Sequence, residues 1–303
     1  MVLRNEPEVR ITDGPVATVP ATDVIVLPGA TSAQGIAKGA GHTFYCGDLF
    51  LGNIFRGDLI RGTAELFIDV PDGRLAMGMW ADLRHGWLFV AGALGWAYVY
   101  DIQTGATVAT YQLGKIDDLR LTVVNKVFVN RQGAYFSDSS SAVLYFVPIS
   151  PTGELGLART VQVTGPAADI SGEFNLNGIV APDAGEPLIM SHTANGKLYT
   201  VDPATGVSRT IEGVDVPKAD GLVLDGQQLW VVQNRVNQVS RIRLSRDLRS
   251  GTVEGVITHD AFQFPATAIG FDNHLAVVNA KSDTADTGYP PTANEYEVVI
   301  VDR

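Results

Sequence analysis

Four oxygen-bearing side chains, Gln34, Asn125, Asn177 and Asp220, recur at one point of a repeat that runs through this 303-residue chain. Each stands just before an apolar segment, and the equivalent positions in the two remaining repeats hold Met77 and Ala266. Amide and carboxylate oxygens are hard ligands that suit Ca²⁺ or Mg²⁺. Asn and Asp also favour turns, where they cap backbone groups. Recurrence in four repeats outweighs that plainer explanation. A second set closes the next segment of each repeat: Asp48, Gly92, Asp138, His192, Gln233 and Asn279. Here Asp138 and His192 are candidates for proton transfer, with Asp220 from the first set and Lys126, which follows Asn125. Gln233 and Asn279 are candidates for substrate contact.

The elements that must position these residues follow from the repeat. Short apolar strands ending in polar residues begin at Phe44, Leu88, Ala134, Leu188, Leu229 and Leu275, a spacing of 41 to 54 residues. A period in the forties with several strands and turns per unit is the signature of propeller blades. Further strands follow at Ala97–Asp101, Val143–Val147, Lys197–Asp202 and Val239–Arg243, with Gly-containing turns at Gly105, Gly153 and Gly206. No sustained 3.6-residue periodicity appears. The expected fold is all-β: a six-bladed β-propeller of four-stranded blades, a single domain over residues 1–303. The chain stops after Glu297–Asp302, a third strand, while Asp23–Leu27 precedes the first blade unassigned. The N-terminal strand is therefore expected to close the ring in the last blade, which removes free edges.

Propeller geometry brings both residue sets toward the mouth of the central channel. Met77, Met79 and Trp80 would give that mouth an apolar wall at the second blade. Tyr289, in the long connection before the last strand, would form a lid over it. His42, His85 and His274 fall in turns of the opposite face.

A net charge of −11 and the lack of any Lys/Arg run disfavour nucleic acid and anionic membranes as partners. No stretch approaches a membrane span, and residues 1–23 lack the apolar core of a signal peptide. A small-molecule substrate and a monomer are the expectations; the compartment stays open between cytoplasm and export. Cys46 is the only cysteine and reads as a buried small hydrophobe.

The segments Gln34–Ala37, Phe174–Ile179, Asp220–Gly226, Leu229–Asn234 and Val277–Asn279 resemble the gluconolactonase/senescence-marker-protein (regucalcin-like) family of six-bladed propellers, most closely its actinobacterial branch. The resemblance implies one divalent cation, calcium first, held by a Glu, two Asn and an Asp, and often lactone hydrolysis. Asn125, Asn177 and Asp220 match three of those positions. Gln34 replaces the Glu, and Lys126 stands where the family has Asp. At ~4 Å and an effective dielectric of 20, each unit charge changes cation binding by ~4 kcal/mol before relaxation. Asp48 and Asp138 could restore part of the charge.

Three readings follow. In the first, a metal-assisted lactone or ester hydrolase uses Gln34, Asn125, Asn177 and Asp220 as ligands, with Asp220, Asp138 or His192 activating water. In the second, a metal-independent cyclase, isomerase or lyase, similar to strictosidine synthase, acts on a bulky apolar natural product, with Asp220, His192 or Lys126 as acid or base. In the third, the propeller binds without catalysis.

Overall fold

Every repeat becomes one four-stranded antiparallel sheet in the computed structural model, which describes residues 19–115, 122–182, 187–284 and 290–303. Blade one is β2 (Ala33–Lys38), β3 (Thr43–Asp48), β4 (Ile54–Asp58) and β5 (Thr63–Ile68). Blade two is β6 (Met79–Asp82), β7 (Trp87–Ala91), β8 (Trp96–Asp101) and β9 (Thr107–Gln112). Blade three is β10 (Val124–Val129), β11 (Gly133–Asp138), β12 (Val143–Pro148) and β13 (Arg159–Gln162). Blade four is β14 (Leu176–Val180), β15 (Leu188–His192), β16 (Lys197–Val201) and β17 (Ser208–Thr210). Blade five is β18 (Ala219–Asp225), β19 (Gln228–Gln233), β20 (Gln238–Leu244) and β21 (Gly251–Ile257). Helix is confined, among the described residues, to three single 3₁₀ turns.

Blade six joins the two ends of the chain. Strands β22 (Pro265–Phe271), β23 (His274–Asn279) and β24 (Glu297–Asp302) are completed by β1 (Val24–Val26). Val24 pairs with Val299 and Val26 with Glu297, so the ring closes as the sequence predicts. Ile25, between them, is buried under Phe44, Phe55, Phe271 and Val278.

The core lies between blades rather than inside any one of them. Second strands such as Trp87–Ala91 and Leu188–His192 are sandwiched on both faces, which is why they read as unbroken apolar runs instead of alternating ones. Outer strands such as Thr107–Gln112 lie largely exposed. Burying a side chain like Phe44, Phe89 or Phe136 completely stabilises the fold by about 1.5–3 kcal/mol each.

The innermost strands converge at the hub, and their backbones carry the marks of crowding. In blades one, three, four, five and six the register against the second strand slips just after the first paired residue, a β-bulge at the same point each time. The extra residues are Gln34, Asn125–Lys126, Asn177–Gly178, Asp220–Gly221 and Ala266. The position after each first-set residue reads Gly35, Gly78, Lys126, Gly178, Gly221 and Thr267. Glycine is needed at four of these because neighbouring strands touch. A Cβ on Gly78 would lie 2.6 Å from the Asn125 carbonyl oxygen, and one on Gly178 would overlap that of Asp220.

Candidate functional site

The bulges fall at the first-set positions of five blades. Gln34, Asn125, Asn177, Asp220 and Ala266 are all buried. A repeated hydroxyl device fixes three of them. In blade three the Lys126 amide donates to Ser137 Oγ at 3.1 Å, and that hydroxyl donates onward to the Asn177 carbonyl at 2.7 Å. In blade four the Gly178 amide donates to Ser191 Oγ at 2.8 Å, which donates to the Asp220 carbonyl at 2.6 Å. Two residues further on, Ser139 and Thr193 do the same for side chains. Asn125 Nδ2 donates to Ser139 Oγ at 2.9 Å and Asn177 Nδ2 to Thr193 Oγ1 at 3.0 Å. Asn234 Nδ2 donates to Asp220 Oδ2 at 3.2 Å.

Each amide nitrogen is thereby tethered, and the other atom of each group is left over. Asn125 Oδ1, Asn177 Oδ1 and Asp220 Oδ1 are closed to solvent and accept no hydrogen bond. Lys126 Nζ, equally enclosed, lies 3.0 Å from Asp220 Oδ1, an ion contact whose angle falls short of a hydrogen bond. Buried polar groups are normally paired, so these atoms, three acceptors and an ammonium with three N–H donors, make an under-satisfied polar centre of the innermost strands of blades three to five.

This centre does not fit the divalent cation that the family resemblance implies. Its one carboxylate is already neutralised by Lys126, and Gln34 brings no charge. Among the described residues no cluster of three His, Cys, Asp or Glu side chains forms a metal-binding group.

The second set is not at the channel. Its members stitch each blade to the loop that enters it. Asp48 accepts from Thr31 N at 2.6 Å, Ser32 Oγ at 2.5 Å and Leu51 N at 3.0 Å. Asp138 accepts from Val123 N at 3.0 Å and Tyr145 OH at 3.0 Å. Burial raises the Asp138 pKa against the pull of these donors. His192 Nε2 lies 2.8 Å from the Asp169 carbonyl, which makes it the protonated nitrogen, and Nδ1 accepts from Asn195 N at 3.4 Å. Gln233 Nε2 donates to the Pro217 carbonyl at 2.8 Å while its oxygen accepts from Ser240 Oγ at 2.6 Å. Asn279 spans Ala261 O, Glu297 Oε1 and Gln263 N. Asp138 and His192, expected to transfer protons, and Gln233 and Asn279, expected to touch substrate, thus spend these polar atoms on structural hydrogen bonds. A polar residue ending a strand can turn toward the loop or toward the axis, and here satisfied loop bonds take all five.

A cavity of about 480 Å³ runs from the hub toward the face of the first-to-second-strand turns, opposite the one expected. Gly78, Lys126, Gly178, Gly221 and Thr267 line its inner end. Met79 and Trp80 do form an apolar wall, joined by Phe128, Ile179, Leu222 and Ile269. Met77 packs into the core beside Phe89 instead. Tyr289 lies outside the described residues. Sequence reasoning missed Ser137, Ser139, Ser191 and Thr193. Their signal was present in the matching triplets Ser137-Asp138-Ser139 and Ser191-His192-Thr193.

No family model matches the chain, and no curated protein matches it either. Solved structures do resemble it. The Malassezia sympodialis allergen Mala s 1 is 14% identical, with a TM-score of 0.67 over 93% of this chain and 96% of its own. A luciferin-regenerating enzyme is 11% identical, with a TM-score of 0.61 over 90% and 92%. The PQQ-bound aldose sugar dehydrogenase of Streptomyces coelicolor is 14% identical, with a TM-score of 0.58 over 93% and 100%. Likeness at this identity extends to the propeller fold, on which both enzymes and other proteins are built.

Proposed function

We propose that the chain is a metal-independent enzyme that carries out proton transfer on a small, largely apolar carbonyl compound at the inner end of the axial cavity. The observation that supports this is the buried Lys126–Asp220 pair, 3.0 Å apart, of which Lys126 lines the inner end of a largely apolar chamber. A substrate entering that chamber reaches the Lys126 side chain, with Asp220 beyond the lining. The Asp220 carboxylate takes a proton from the carbon beside the carbonyl, and the Lys126 ammonium stabilises the enolate oxygen by charge and hydrogen bonding. Return of the proton at another carbon gives isomerisation; departure of a group from the β-carbon gives elimination. Asn125 Oδ1 and Asn177 Oδ1, enclosed and without a donor, are the acceptors left to orient a hydroxyl or water. Propeller neighbours that are enzymes accord with this reading at the level of fold. Lactone or ester hydrolysis, which the family resemblance implies, would use the same pair, with a water between the two Asn oxygens.

The test is a panel of lactones, esters and unsaturated ketones assayed in excess chelator, with Asp220→Asn and Lys126→Met alongside. Chelator-resistant turnover lost in both variants supports the reading. Turnover that needs added metal, or that survives both substitutions, overturns it. Proton loss would show as deuterium uptake at the substrate carbon, and water attack as ring opening.

A further inference from the structure

We infer that Lys126 is a tethered cation: its ammonium, 3.0 Å from Asp220 Oδ1 at the hub, stands in for a divalent metal ion. Four independent features of the chain converge on this.

The first is position. At the residue after each first-set side chain, four of six blades carry Gly, and blade six carries the small Thr267. Only blade three places a long cationic side chain there, although the hub leaves so little room that a Cβ on Gly78 would lie 2.7 Å from Lys126 Cα. The second is direction. Lys126 belongs to β10 in blade three, yet its ammonium contacts Asp220 of β18 in blade five, so the side chain reaches past blade four at the axis.

The third is the state of the surrounding oxygens. Asn125 and Asn177 each have the amide nitrogen tethered by a hydroxyl, so the amide oxygen is the free end in both. Asp220 is held through Oδ2 by the Asn234 amide, and its Oδ1 accepts no hydrogen bond but faces the Lys126 ammonium. Three hard oxygens from three consecutive blades are thus left over by supports whose hydroxyls are themselves held by the Leu176 and Ala219 carbonyls. Such a set suits an oxygen-seeking cation, and the cation present is the ammonium. The fourth is charge. One carboxylate balances one ammonium, whereas a divalent ion in the same place would leave the buried centre with excess positive charge.

Removing the ammonium and its stem while keeping the fold should therefore convert the hub into a metal site. Lys126→Ala retains the Cβ already accommodated there. Lys126→Met removes the charge but keeps the stem in place. Calcium and manganese are titrated calorimetrically into the wild-type chain and both variants, and melting is followed in calcium and in chelator. The expected result is one divalent ion per chain for Lys126→Ala, bound on the order of a hundredfold more tightly than by the wild type. Lys126→Met should bind no better than wild type. Adding Gln34→Glu to Lys126→Ala should tighten binding by a further ~10-fold or more. Melting reads the same equilibrium even where metal-free Lys126→Ala is partly unfolded, since an ion that binds only the folded chain raises its melting point. Equal affinity in wild type and Lys126→Ala overturns the inference, as does a folded Lys126→Ala that binds neither metal. Metal titration reads this without turnover, so the acid–base reading can fail while the tethered cation stands, and the reverse.

Discussion

Lys126 and Asp220 stand on blades three and five, with a whole blade between them, and meet at 3.0 Å on the axis of the ring. Both side chains are only 6% exposed, so each depends on the other for compensation of its charge. Breaking a buried pair from one side typically costs about 3–5 kcal/mol, because the remaining charge stays buried alone. Lys126→Met and Asp220→Asn are each expected to lose stability in that range in urea melts. The double variant should recover most of the loss, which a double-mutant cycle will measure. Additive losses would show that the pair is not coupled.

The pH dependence of stability should separate two buried aspartates of opposite character. Burial raises the Asp138 pKa above its ordinary 3.8, so the folded chain holds that proton more tightly than the unfolded one. Stability contributed by Asp138 therefore falls as pH rises from about 3.8 to the raised folded value. In Asp82 burial again pushes upward, but hydrogen bonds from Arg84 and His85 outweigh it and hold the pKa below 3.8. That contribution is present above 3.8 and lost as pH falls through the lower folded value. Asp138→Asn keeps the oxygen that accepts from Val123 and Ser140. It should be tolerated while removing a component that weakens with rising pH. Asp82→Asn should remove a component that weakens with falling pH. Melting temperatures between pH 3 and 6 read both, and identical profiles for the two variants would contradict the assignment.

Ser191 joins blade four to blade five through a single hydroxyl that takes the Gly178 amide and serves the Asp220 carbonyl. Ser191→Ala orphans one donor and one acceptor in a dry interior, at about 1–3 kcal/mol for each. Loss of less than half a kcal/mol in denaturant melts would mean that water replaces the hydroxyl.

Ring closure rests on a three-residue strand, and its two faces should respond unequally. Ile25 is 1% exposed and Val26 is 39% exposed. Ile25→Ala should cost about 2–5 kcal/mol, whereas Val26→Ala should stay within about 0.5 kcal/mol. Equal effects on the melting midpoint would argue against closure through β1.

The blade count, the closing strand and the first residue set were legible because each depends on chain periodicity, which a repeat writes six times over. Trp80 and Met79 were likewise legible as an apolar wall, although not the face on which the chamber opens. The loop hydrogen bonds of Asp48, Asp138, His192, Gln233 and Asn279 were not legible, because strand-end polarity looks the same whether the side chain binds a loop or a ligand. Lys126 was legible as a departure from a family pattern. Its long flexible stem gave no hint that it would reach past blade four to Asp220, a contact that exists only once the ring is closed. The serine device was hidden by its ordinariness: Ser137 and Ser191 are strand residues whose partners lie on the next blade.

The central claim is that an ammonium, not a metal, balances Asp220 at the hub. The most direct measurement is a crystal structure at atomic resolution grown in a calcium-rich solution. The account predicts Lys126 Nζ within hydrogen-bonding distance of Asp220 Oδ1, with any further density there refining as water. A calcium ion coordinated by Asn125, Asn177 and Asp220, with Lys126 turned away, would contradict it.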